Sequence, residues 1–138
     1  GSSSLYIGKD GGDAQPVTGY LSNVRIVKGT AVYDPTQTTY TVPTAPLTVV
    51  ANTVLLTCQS NTIIDNSTNN FTITPGTTTV KPVLVSPFTP TASSVVTYSP
   101  STFGGSMYFD GSGDYLKVAA SSNNSLMSVV FILIINYY

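Results

Sequence analysis

The stretch Asp110-Gly-Ser-Gly-Asp114 gathers more candidate oxygen ligands than its neighbours. Two carboxylates, one hydroxyl and free carbonyls on a Gly-rich turn suit a hard cation, so Asp110, Ser112 and Asp114 form a candidate calcium site. The turn lacks the bidentate Glu that completes strong calcium loops. Its competing reading is architectural, because Asp in such turns commonly accepts from nearby backbone amides. Asp10 and Asp13, in "KDGGD", carry the same ambiguity. No cofactor is expected apart from calcium at this turn.

Other chemistries lack their residues. The chain has no His, no Trp and no Glu, its six acidic residues all being Asp. A Ser nucleophile has no His to activate it, and zinc would find a single Cys and no His. Cys58 has no partner for an intrachain disulfide, lies in the apolar run from Val54 and reads as a small buried residue. The five basic residues, Lys9, Arg25, Lys28, Lys81 and Lys117, are scattered. That excludes an electrostatic footprint for nucleic acid and a polybasic membrane patch. No catalysis is expected.

The elements that would position these residues are strands. With 41% hydrophobic and 8% charged residues in 138, and Thr, Ser and Asn filling the rest, the chain suits one pleated, half-buried core. "SSLYIG" and "NTVLLTCQ" read as strands, and "IIDNSTNNFTIT" as strand, Asx turn and strand. "TGYLSNVRIVKG" is strand-like, but Leu21 breaks the alternation and predicts a bend or bulge near Ser22-Asn23. Residues 34–46 hold three prolines and read as an extended surface connector. Residues 82–102 read as a second connector. The C-terminal run Val129, Val130, Phe131, Ile132, Leu133, Ile134, Ile135 is seven apolar residues. That is too short for a membrane span of roughly 20, so it reads as a buried strand and a candidate assembly element. No segment sustains a helical period, and helix should be minor. The start lacks Met and a signal peptide, as expected of a processing product, an engineered boundary or a fragment end.

"GSSSLYIGKDGGD" at 1–13 echoes "GGSMYFDGSGD" at 104–114, with Tyr6 matching Tyr108. "GYLSNVRIVKGTAVYDP" followed by "PTAPLT" resembles the closing strands of laminin-G-like, concanavalin A-like jelly-roll repeats of marine phage and environmental virion proteins. "NTVLLTCQSNTIIDNSTNNFTIT" and "GGSMYFDGSGDYLKV" look like the opening of the next repeat. The resemblance covers most of the chain outside 75–100, and "SVVFILIINYY" departs from it. It implies an all-β antiparallel sandwich, jelly-roll-like: residues 1–33 closing one repeat, 34–51 connecting, and 52–138 opening the next. Such an order is either a permuted unit closed within one chain or a sandwich completed by strands of a neighbouring chain.

Functionally, the resemblance implies a virion-surface or otherwise extracellular protein. Related glucanases need paired carboxylates with Glu, absent here. Two expectations follow. One is a structural virion or fibre subunit whose partners are copies of itself or other virion proteins. The other is an adhesin module binding host-surface glycans, for which Asn23, Tyr98, Tyr115 and Asn124 could stack or hydrogen-bond. The N-x-S/T matches at Asn66, Asn70 and Asn123 are expected by chance in so Asn- and Thr-rich a chain.

Overall fold

The computed structural model describes residues 3–10, 15–76, 79–88 and 98–122, and the strand at 129–136 by its backbone. Eight strands and one helical turn follow in order: β1 Leu5–Ile7, β2 Thr18–Lys28, β3 Thr53–Thr57, β4 Ile73–Pro75, β5 Lys81–Val83, α1 Pro100–Phe103, β6 Ser106–Asp110, β7 Leu116–Val118 and β8 Val129–Asn136. The fold is nearly all-β, as composition and turn chemistry predict. A three-stranded sheet has the order β1-β7-β4, and a five-stranded sheet has β3-β2-β6-β5 with β8 also on β2. Every pairing is antiparallel.

One core joins the two sheets. The small sheet contributes Leu5, Ile7, Leu116 and Val118, and the large one Leu21, Ile26, Leu55, Met107 and Phe109. The two-residue period of a strand explains the division. In β1, Leu5 and Ile7 are buried while Tyr6 is half-buried, and in β7 Leu116 and Val118 flank the outward Lys117. Fully burying one such side chain contributes roughly 1.5–3 kcal/mol.

Strand β2 breaks that period, and the structure supplies the reason. Asn23 has φ 59°, and the β8 register shifts between Ser22 and Arg25. The extra residue lets Leu21 and Val24, three apart, enter the same core. The predicted bulge is present at its predicted place. It also divides the strand's partners. Tyr20 and Leu21 pair with both β6 and β8, whereas Arg25, Ile26 and Val27 pair with both β3 and β8. A strand has two edges, so β6 and β3 share the edge opposite β8, one on each side of the bulge.

Three expectations need correction. Ile63 and Ile64 are not a strand; an Asp65-centred turn leads from them to β4. Residues 82–102 are not only connector, because Lys81–Val83 pairs with β6 and Pro100–Phe103 turns helical. Proline at position 82 is tolerated because β5 is an outer strand. The echo between 1–13 and 104–114 does not produce equivalent strands either. Tyr6 lies on β1 of the small sheet and Tyr108 on β6 of the large one. The "KDGGD" turn beyond Asp10 lies outside the described residues.

The connector is as expected over most of its length, without strand from Gly29 to Asn52 and largely exposed from 34 to 45. It begins in a turn, where the Asp34 carboxylate accepts from the Thr36 backbone at 2.9 Å and the Thr36 hydroxyl at 2.7 Å. Both sheets combine a strand of 1–33 with strands of 52–138, so the two segments form one body.

Candidate functional site

Asn23 is held at the bulge, wholly buried. Its Oδ1 accepts from the Leu47 backbone at 2.8 Å and from Gln59 Nε2 at 2.9 Å, and its Nδ2 donates to Ser22 Oγ at 2.8 Å. Ser22 Oγ donates to the Gly105 carbonyl at 2.6 Å, and Gln59 Nε2 to the Leu47 carbonyl at 2.5 Å. Asn23 thus ties the connector and the segment after β3 to the central strand, and Ser22 ties in the entrance to β6. The approach is so close that a Cβ at Gly105 would stand 2.8 Å from the Ser60 carbonyl carbon. Asn23 is therefore a buried brace and not a surface glycan contact, which corrects its assignment.

Arg25 lies beneath the same connector, 5% exposed, donating from Nη1 to the Thr48 carbonyl at 2.8 Å. Its Nε meets no partner among the described residues. The unexpected hub is Asp65. Its carboxylate accepts from the amides of Leu56 at 3.0 Å, Ser67 at 2.8 Å and Phe71 at 2.9 Å, and from the Ser67 hydroxyl at 2.9 Å. The sequence "DNS" signals that Asx turn, but nothing local announces that it also engages β3.

At the proposed calcium turn the chain does bring Asp110, Ser112 and Asp114 together. The Asp114 carboxylate is buried, accepting from the Asp110 amide at 2.8 Å and from the Thr79 hydroxyl. Asp110 accepts from the Ser112 amide at 2.8 Å. These bonds are those of the architectural reading. Calcium wants six to eight oxygens, and no group of three or more Asp or Cys stands together among the described residues. Both carboxylates are engaged by donors of the turn itself and of Thr79.

Tyr115 is not an open stacking platform. Lys9 Nζ sits 3.7 Å from its ring centre, Tyr6 packs edge-on at 5.4 Å, and Gly76 approaches so closely that a Cβ there would overlap the ring. Tyr98 donates to the Gly104 carbonyl and packs on Phe103 at 6.0 Å, burial raising its phenol pKa above the ordinary value. The two tyrosines serve different sheets and do not converge. Asn124 lies outside the described residues. Burial pushes the Cys58 thiol up to about 12, which keeps it protonated and unreactive.

Sequence reading missed a concave surface on the connector. Tyr33, Tyr40, Thr41, Val42 and Pro43 line an apolar groove of about 230 Å³. Tyr33 and Tyr40 meet edge to face at 5.6 Å, and the Tyr40 hydroxyl donates to the Asp34 carbonyl at 2.8 Å. Two tyrosines near prolines were the available signal.

The assembly run Val129–Ile135 forms most of β8 and pairs with β2 between Leu21 and Lys28 of its own chain. One edge is therefore satisfied internally, contrary to a strand wholly dependent on a neighbour. No helix among the described residues is long and apolar enough to cross a membrane. Comparison with known protein families, curated proteins and solved structures finds no match to the chain.

Proposed function

We propose that the protein is a non-catalytic structural module that assembles with copies of itself or with other proteins of a virion surface or fibre. The observation that carries this reading is the position of β8. A strand with seven successive apolar residues lies at the margin of the large sheet, outside β2. The two-residue period gives such a run apolar groups on both faces. Leaving one face in water would forfeit roughly 1.5–3 kcal/mol per side chain, and a partner over the margin removes that loss. The roles of Asn23, Asp65 and Asp114 as internal braces support a non-catalytic reading. The virion setting rests on the laminin-G-like resemblance of residues 19–33, 52–74 and 104–118.

Light scattering after gel filtration tests the assembly. The chain should run as a defined oligomer, and Ile132→Asp should reduce it to monomer or insoluble protein. Thr72→Asp, at an exposed loop position, should leave it unchanged. A monomer at every concentration would overturn the reading.

The Tyr33–Tyr40 groove favours a second reading, a glycan-binding module. Tyr40 is 50% exposed beside an apolar hollow, and sugar rings stack on such faces. Binding on a glycan array that Tyr40→Ala abolishes would favour it over the structural reading.

A further inference from the structure

Among the described residues, each sheet margin carries a protecting device except one. Outside β3, the Leu56 amide donates to Asp65 and its carbonyl accepts from the Asn66 amide at 2.7 Å. The Val54 carbonyl accepts from Ser67 Oγ at 3.1 Å and Asn69 Nδ2 at 2.9 Å. A loop thus closes that edge with hydrogen bonds. Strand β5 is three residues long and contains Lys81 and Pro82, β4 is three residues ending in Pro75, and β1 is three residues. Short length, Pro, Lys and covering loops are the means by which sheets avoid edge-to-edge pairing. Among the described residues, strand β8 has none of them. It is eight residues long, without charge or proline, and no strand among the described residues pairs with its other edge.

We infer that the outer edge of β8 is a pairing surface for a second copy of this chain, antiparallel across a two-fold axis, making one continuous sheet. This rests on the self-assembly reading above and names its geometry. An antiparallel edge is self-complementary under two-fold symmetry, each outward N–H meeting a carbonyl of the same strand in the other copy. Charge does not oppose the approach, because the chain carries a net −1 and β8 no charge at all. One unguarded edge per chain makes the contact isologous, and it closes as a dimer instead of extending into a fibre. Outward groups recur at alternate residues, so facing positions share parity, and a pairing centred on Ile132 places Val129 opposite the second copy's Ile135.

Two measurements test this. In the unmodified protein, alternate amides of 129–136 point away from β2. Their exchange should slow at least about tenfold from dilute to concentrated solution, as pairing closes them. In a Cys58→Ala background, mild oxidation of mixed Val129→Cys and Ile135→Cys chains should give the heterodisulfide, and neither variant alone should give a homodisulfide. In that pairing like positions are roughly 20 Å apart, six residues at 3.4 Å each. Oligomers that form without slowing those amides, or homodisulfides at both positions, overturn the pairing while leaving self-assembly intact. A monomer at all concentrations overturns both.

Discussion

At the scale of single residues, the buried polar groups carry more of the architecture than their number suggests. Asn23 satisfies the Leu47 amide and Gln59 while holding a left-handed φ that β-carbon-bearing residues adopt reluctantly. Asn23→Ala should destabilise the chain by about 3 kcal/mol, the sum of orphaned buried groups and backbone strain. Asn23→Gly should recover about 1 kcal/mol of it, because glycine tolerates that φ. Urea titration of the three proteins gives both numbers. Cys58 sets a pH dependence. Its thiol ionises near 9.0 when free and near 12 when folded. Above pH 9 the unfolded state binds fewer protons, so stability falls by about 1.4 kcal/mol for each further pH step. That contribution is complete below pH 9 and lost as pH rises toward 12. Cys58→Ala should flatten this part of the stability curve between pH 8 and 11, measured against the unmodified chain.

Among elements, the strands themselves are plain in the sequence, whereas their margins are not. β1 announces itself by alternation, β3 and β6 by short apolar or aromatic runs beside turn residues, and the β2 bulge by the broken alternation at Leu21. The role of Asp65 could not be read, because its partner Leu56 lies nine positions away on a strand edge that only the fold brings beside the turn. Asp65→Ala should cost about 3 kcal/mol through three unpartnered amides. It should also open the β3 edge, so that aggregation on concentrating the protein rises relative to the unmodified chain. Light scattering against concentration measures the second effect separately from stability. The same reasoning explains the misplaced glycan candidates. Exposure is a tertiary property, and Asn23, a polar residue beside Ser22 at a predicted bulge, gives no local sign of being wholly buried.

For the whole molecule, the two halves of the chain are mutually dependent. β1 pairs with β7, and β2 with β3 and β6, so neither 1–46 nor 47–138 retains a complete sheet. Each fragment alone should lack cooperative unfolding. Mixed, they should regain the far-ultraviolet spectrum and single transition of the intact chain, because the connector contributes exposed length more than pairing. Cleavage within 36–42 of the folded protein should accordingly leave the fragments associated, which gel filtration after limited proteolysis would reveal.

The sequence by itself determined the fold class, the scarcity of helix, the bulge and the extended connector, because these follow from local period, turn residues and missing donors. It also excluded imidazole and Glu chemistry, since absent residues can do nothing. Only the tertiary structure decided which polar residues became braces, that Pro46–Val50 closes over β2, and that β8 joins the chain's own large sheet. Those outcomes depend on contacts between residues tens of positions apart, such as Ser22 with Gly105 and Arg25 with Thr48. Local period is a property of neighbours in the chain, but burial and edge pairing are properties of neighbours in space.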